Sequence, residues 1–357
     1  MNEMLPIQAL DGRYYTDPEM YRRTCDRIFD RAWHYVCHQS QIPEQGDYLA
    51  FELLGERLFV SRGKAGKIRC FYNVCQHRGH TLVQDSGRTR VFVCPYHAWT
   101  YEQDGGLRAA PATRQMAGFE RARICLTQVK VEVFLGFVFV NFDDQADDMD
   151  TQFPGVRAAA MALCPDIEER VFAHEHRAQE FCNWLVAVEN YNECYHCGHC
   201  HKAFSNGIIE PRSYDIQPFG MGRCLNHAAK AADGDGAWYD TSGSDYGSFY
   251  LFPLFSLQIY PSGMINTYYW RPVSHDDTFV HRGWFNKDGV VDDQLQEVID
   301  LDRDTTFAED LALVKEVQKG LGSKGYKPGP LVIPTGTGIN SEHSIAALHR
   351  WVTESLS

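Results

Sequence analysis

Two short cysteine–histidine pairs, Cys75-Gln76-His77 and Cys94-Pro95-Tyr96-His97, constrain this chain more than any other feature. Each offers one thiolate and one imidazole. A mixed-ligand [2Fe–2S] centre needs that set, with both cysteines on one iron and both histidines on the other. Such a centre is gripped from two sides, so two loops must face each other. The stretch between His77 and Cys94 is long enough for a strand and turns that bring them together, and Gly79 suits a tight turn in the first loop. A Cys2His2 zinc site uses the same atoms. Pairing C-x-H with C-x2-H in aromatic-flanked hairpins is an unusual spacing for zinc.

Hydrophobic spacing around the pairs predicts short strands. Residues 48–53, 57–60 and 68–72 are strand-like runs split by Gly55, Gly63 and Gly66, and the texture continues through 91–93 and 129–142. This predicts a small all-β domain over residues 41–145, with both Cys/His pairs at turns just after strands. Ahead of it, Thr16-Asp17-Pro18-Glu19 reads as a capping box with proline in the first turn. Tyr21, Cys25, Ile28, Phe29 and Trp33 follow at helical spacing. Residues 1–40 are therefore expected to form a helical segment packed on the second domain, and the acidic run 143–150 a linker.

Residues 146–357 read as α+β. Strands are expected at 171–181, 249–260, 264–271 and 279–285, helices at 183–201, 294–301 and 308–321, and a long loop at 230–247. In the last helix Leu313, Val314 and Val317 form the expected buried stripe, with Gly320 and Gly322 where it stops.

The first of these helices carries Glu193-x2-His196-x4-His201. On a helix Glu193 and His196 share a face. His201 joins them if the helix ends or distorts near Gly198. Two histidines and one carboxylate make the facial triad of non-haem Fe(II), which leaves positions open for oxygen. The third ligand must come from elsewhere, and Asp310, in the first turn of the late helix, is the candidate. A carboxylate there is also favoured by the helix dipole alone. Cys194, Cys197 and Cys200 make two C-x2-C spacings, so a zinc knuckle competes for this segment, and the choice of His201 over His199 stays open.

Composition excludes other classes. The 357 residues carry 47 acidic and 34 basic side chains, a net charge of −13, which argues against nucleic acid or anionic membranes as partners. No window has the apolar length of a membrane span, and the first residues lack a secretory pattern. The chain is expected to be cytoplasmic, with its 12 cysteines reduced or metal-bound.

Taken together, the two constellations resemble the terminal oxygenase (alpha) subunit of the Rieske non-haem iron oxygenases, over nearly the whole chain. Within that family, Asn73-Val74-Cys75-x-His77-Arg78-Gly79-His80, Glu189-Asn190-Tyr191-x-Glu193-Cys194-Tyr195-His196-Cys197-Gly198, Glu309-Asp310-Leu311 and Ser341-Glu342-His343 are similar to the quaternary-ammonium branch. The resemblance implies a Rieske [2Fe–2S] all-β domain followed by a helix-grip catalytic domain, an antiparallel sheet with helices. It implies that Cys75, His77, Cys94 and His97 hold the cluster, and that His196, His201 and Asp310 hold the mononuclear Fe(II). It makes the protein a homotrimer in which Glu193 bridges one subunit's cluster to its neighbour's iron. Electrons would come from NAD(P)H through a flavin/iron–sulfur reductase. The implied activity is O2-dependent oxidation of a small carnitine- or betaine-like quaternary amine, with C–N cleavage or N-demethylation. The alternative is an aromatic ring-hydroxylating mono- or dioxygenase using the same metals. Lys202 and His199-Cys200 depart from the usual Pro and Ala of the family around His201. A quaternary ammonium ligand favours aromatic faces, and Phe204, Tyr250, Phe252, Tyr268 and Trp270 lie in segments placed to line a pocket.

Overall fold

Strand-length apolar runs broken by glycine yield two antiparallel sheet systems in separate units. The computed structural model describes residues 6–232, 237–335 and 338–357. Asp30–Ala146 form one unit, and the segments on either side of it form the other.

The Asp30–Ala146 unit contains β1 (His34–His38), β2 (Asp47–Leu53), β3 (Glu56–Arg62), β4 (Ile68–Tyr72), β5 (Ser86–Arg88), β6 (Phe92–Val93), β7 (Thr100–Tyr101), β8 (Leu107–Ala109), β9 (Gln128–Phe134) and β10 (Phe137–Asn141). Seven of them form a sheet in the order β1-β10-β9-β4-β3-β2-β5, and β6-β7-β8 form a small second sheet. The run 129–142 folds as a hairpin. Its turn residues Leu135 and Gly136 both have positive φ (52° and 86°), as a tight two-residue connection requires. Residues 30–40, expected within the leading helical segment, instead supply β1. The core around Phe59, Phe71, Phe92, Trp99 and Tyr101 also contains Cys75 and Cys94.

The other unit is built on one sheet: β11 (Val171–Glu180), β12 (Asp215–Pro218), β13 (Cys224–Ala229), β14 (Tyr246–Leu251), β15 (Phe255–Ile259), β16 (Ile265–Ser274) and β17 (Asp277–Asn286), in the order β11-β17-β16-β15-β14-β13-β12. The register sets His227, Ser248, Gln258, Asn266 and Trp284 side by side in one row across the strands. Tyr246 lies two residues from Ser248 along β14, on the same face because side chains alternate with period two, and Tyr260 follows directly after the end of β15. The loop expected at 230–247 connects β13 to β14, and its residues 233–236 lie outside the described residues.

Three expectations need correction. The leading helix runs Pro18–Arg27 and is capped by Asp17, whose carboxylate accepts from the Glu19 N–H, while Thr16 ends a separate short turn. The helix expected at 183–201 spans only Trp184–Tyr191. Asn192 ends it: fully buried, it turns its side-chain amide onto the Val188 carbonyl (2.7 Å) and its oxygen toward His227. Val317, expected in a buried stripe, is 50% exposed, although Val314 is buried. The helices at Asp293–Asp302 and Ala308–Leu321 do form, joined by a π-helical turn, Arg303–Phe307. A terminal helix, His343–Leu356, was not anticipated, although Ile345, Leu348, Trp351 and Val352 mark its buried face. Among the described residues, no helix is long and apolar enough to cross a membrane.

Candidate active site

The two cysteine–histidine loops are copies of one backbone design. Cys75 N donates to His80 O (2.9 Å) and Gly79 N to Cys75 O (2.9 Å); Cys94 N donates to Trp99 O (2.8 Å) and Ala98 N to Cys94 O (3.0 Å). The fourth residue after each cysteine is left-handed, Gly79 at φ 73° and Ala98 at φ 57°. Glycine takes that conformation without cost, whereas alanine is held in it by the knuckle. The first loop is pinned by buried Asn73, whose carbonyl oxygen accepts from Leu82 N (2.9 Å) and Val83 N (3.1 Å).

The loops bring the four side chains together asymmetrically. Both cysteines are buried, whereas His77 and His97 are exposed with ring centroids 4.6 Å apart, His77 stacked on Trp99. Tyr101, fully buried, accepts from Gln76 N (3.0 Å) and sets its hydroxyl 3.2 Å from Cys75 Sγ. Burial raises the Cys75 thiol, the Tyr101 hydroxyl opposes this, and Cys94 adds to it. Buried thiols of this kind ionise when a metal compensates the charge. The donor set therefore fits a cluster with its sulfur-bound side inward and its imidazole side outward.

In the second unit, helix Trp184–Tyr191 has stopped before the predicted ligands begin. Glu193 and His196 occupy a turn in which the Glu193 carboxylate accepts from Tyr195 N (2.5 Å) and from His196 Nδ1 (2.5 Å). His201 is 3% exposed, and its Nε2 lies 2.9 Å from both His196 Nε2 and Asp310 Oδ1; the third edge, His196 Nε2 to Asp310 Oδ1, is 3.6 Å. His199 is exposed. Metal–nitrogen bonds of about 2.1 Å at right angles put neighbouring donors about 3 Å apart, so these three atoms have the spacing of one face of a metal's coordination shell. Burial disfavours a charged His196, but the Asp310 and Glu193 carboxylates outweigh it and lift its pKa to about 10; His201 is raised in the same way by Asp310 and Glu309. The site attracts positive charge.

The expectation that every cysteine is reduced or metal-bound fails here, and so does the competing zinc knuckle. Cys194 and Cys197 are joined as a disulfide, which occupies the sulfur atoms a zinc knuckle would need. Their three-residue separation in a turn allows the close approach that a bridge requires.

Residues 32–125 match the Rieske [2Fe-2S] domain, and residues 167–357 match the ring hydroxylating alpha subunit (catalytic domain). The chain belongs to the Rieske oxygenase alpha subunits. It is 32% identical over 350 residues to the carnitine monooxygenase oxygenase subunit of Escherichia coli (strain K12), covering 97% of this chain and 93% of that protein. It is 27% identical to the chloroplastic choline monooxygenase of Beta vulgaris, covering 99% and 79%. It superimposes on the quaternary ammonium Rieske monooxygenase CntA in complex with L-carnitine with a TM-score of 0.88, at 28% identity over 99% of this chain and 96% of that one.

The oxygenase pocket beside the histidines has features that sequence reading missed. Glu309 hydrogen-bonds His201 Nδ1 at 2.8 Å, which fixes the ring's tautomer and frees Nε2. Glu193 does the same for His196. Asp302, Thr306 and Asp310 all line the pocket from the helix that contains the π-turn, four residues apart. Six aromatic residues, Tyr191, Phe204, Tyr214, Tyr246, Tyr260 and Tyr268, share the rest of the wall with Asn190, His227, Gln258 and the Cys194–Cys197 pair. Of the five aromatics whose sequence segments are compatible with a pocket wall or with sheet core, Phe204 and Tyr268 line it; Tyr250, Phe252 and Trp270 do not. Tyr191 is held between Ser248 (2.6 Å) and Ser256 (2.7 Å) on the sheet, and its ring lies 4.9 Å from that of Tyr268. Behind Tyr268, buried Arg282 pairs with Asp302 and stands 4.1 Å from the ring centroid.

Proposed function

We propose that this Rieske oxygenase component oxidises a small quaternary ammonium compound, carnitine- or betaine-like, at a carbon next to nitrogen, so that a C–N bond breaks or a methyl group is lost. The observation that carries this reading is the aromatic pocket immediately beside the His196–His201–Asp310 group. Ring faces attract a cation that has no N–H to donate. The neighbouring carboxylates add a negative field, and the pocket's one ionisable base outside the histidine pair stays neutral. That base is His227, held between Tyr214 (2.8 Å) and Asn192 (3.1 Å) and pushed down to about 3 by burial.

In this reading Cys75, His77, Cys94 and His97 hold the [2Fe–2S] cluster, and His196, His201 and Asp310 hold Fe(II). When bound, the cluster supplies single electrons and the Fe(II) supplies oxygen activation. The chain's own residues do the rest. Glu193 and Glu309 hold the protons on the Nδ1 atoms of the two histidines, the rings orient the cation, and the buried aromatic wall keeps bulk water away. Electrons reach the protein from NAD(P)H through a flavin/iron–sulfur reductase.

The protein works as a homotrimer, in which Glu193 receives the neighbouring subunit's cluster histidine. An apolar groove formed by Val186, Leu313, Val314, Val317, Leu331 and Ile345 runs to Glu193 and His196 and supports a second copy seated there. This explains why Val317 is exposed in the single chain. A solved relative is likewise described in terms of inter-subunit electron transfer.

The test is a product mass spectrum after the reduced protein meets O2 and a mixture of carnitine, γ-butyrobetaine, glycine betaine, choline and simple aromatic acids. Oxidation of a quaternary amine supports the reading and shows which bond breaks. Consumption of an aromatic acid alone overturns the substrate class and leaves a ring-hydroxylating oxygenase.

A further inference from the structure

Two residues that line the pocket each carry a buried polar atom with no hydrogen-bond partner among the described residues: Gln258 Oε1 and Thr306 Oγ1. The threonine is a hydroxyl that rotates and either gives or takes, so it does not discriminate between ligands. Gln258 is different. It is 5% exposed, on β15 in the middle of the sheet, and its Nε2 donates to the Tyr246 hydroxyl at 3.1 Å. Only the carbonyl end is left over, and it can only accept.

Its immediate neighbours across the strands, Ser248 and Asn266, are taken up within the fold, as is His227, whereas Trp284 Nε1 at the end of the row has no partner among the described residues. Ser248 bonds Tyr191 and Ser256, Asn266 bonds the Gly283 carbonyl and Arg282, and His227 bonds Tyr214 and Asn192. A buried carbonyl without a donor is unfavourable unless something entering the pocket supplies one. A trimethylammonium group has no N–H, and a carboxylate only accepts. A hydroxyl on the substrate is the group that fits.

We propose that Gln258 Oε1 accepts a hydrogen bond from a substrate hydroxyl, making Gln258 the residue that selects hydroxylated quaternary amines over their deoxy counterparts. This rests on the quaternary-amine reading above. It adds to the aromatic wall, which holds the charged head, a second contact that reads the rest of the molecule.

Carnitine and γ-butyrobetaine share a skeleton and differ by that hydroxyl. The experiment measures kcat/KM, and binding by calorimetry, for both compounds on the wild-type holoenzyme, Gln258→Met and Gln258→Glu. Methionine keeps the volume without an acceptor oxygen, whereas glutamate keeps the acceptor. The wild type is expected to prefer carnitine. Gln258→Met should lower the carnitine-to-γ-butyrobetaine ratio by roughly 10- to 100-fold, mainly through KM, and Gln258→Glu should retain a preference for carnitine. Equal handling of the pair by the wild type, an unchanged ratio in Gln258→Met, or a collapsed ratio in Gln258→Glu overturns the role of Gln258 and leaves the quaternary-amine reading standing. A wild type that neither binds nor oxidises either compound overturns that reading, and the proposal with it.

Discussion

The cluster loops and the mononuclear site are built on opposite plans. The cluster loops close on themselves: four backbone hydrogen bonds within residues 75–99 make both knuckles, and the imidazoles end up exposed. The candidate mononuclear site gathers side chains separated by more than a hundred residues, from the turn at 193–201 and from Asp310 on a late helix, into a largely buried group ringed by carboxylates. A centre that passes electrons must present an edge to a partner. A centre that handles oxygen beside a substrate must be enclosed. The difference predicts that the two fail independently, and by different amounts.

The largest effect is expected at Asp310. Asp310→Ala removes one of three converging donors and leaves the cluster knuckles intact. Iron should fall from about three to about two per chain, the [2Fe–2S] visible spectrum should persist, and activity should drop on the order of 10³-fold or more. Full mononuclear iron in that variant would move the third ligand elsewhere. Glu193→Ala comes next. It removes the carboxylate from His196 Nδ1 and, under the proposed trimer, the acceptor for a neighbouring cluster histidine. Cluster spectrum and folding should survive while substrate-coupled turnover is lost; full turnover would sink the bridging role.

Acid should separate the units by a smaller amount. Burial holds His227 and His281 down at about 3 and His176 at about 4, all in the catalytic unit, against His38 at about 4 in the Rieske unit. Each stays neutral in the fold near pH 5, whereas the unfolded imidazole, with a pKa of about 6.5, takes up a proton. Their stability contribution is therefore complete above about pH 6.5 and is lost as pH falls toward the folded values. The loss reaches about 1.4 kcal/mol per pH unit for a fully buried imidazole such as His227. Titrated from pH 8 to 4, the catalytic unit's near-ultraviolet signal should collapse before the cluster's visible absorption bleaches. The reverse order would break this contrast.

How much was legible follows the same division. The cluster loops are local, so Cys75, His77, Cys94 and His97 stand out from spacing alone, and their turns fall where strand ends predict. Glu193, His196, His201 and Asp310 also stand out in the sequence, but their conformation does not. Periodicity extended a helix through Glu193 and His196, because nothing in the pattern shows that Asn192 exchanges helical continuity for hydrogen bonds to Val188 and His227. Gln258 looked like an ordinary strand residue. Its importance depends on strand register, which sets it between Ser248 and Asn266, and register is a long-range property. Glu309 was visible only as the neighbour of Asp310. Val317 reads as core because an apolar stripe at helical spacing looks the same whether it is buried or exposed.

The smallest predicted effect probes the cluster side. Tyr101 accepts from Gln76 N, so its own proton is free to point at Cys75 Sγ, 3.2 Å away. Reduction adds negative charge to the cluster, and a donor aimed at a sulfur ligand stabilises that charge. Tyr101→Phe deletes only the oxygen and keeps a ring packed in the core with Phe59, Phe71 and Phe92. The potential should fall by about 40 mV, the equivalent of about 1 kcal/mol for one electron. A redox titration followed by visible absorption or paramagnetic resonance measures it. Mononuclear iron content should not move at all, since Tyr101 belongs to the unit that does not hold it. A shift in both quantities would mean that the two centres are coupled more tightly than their separate construction implies.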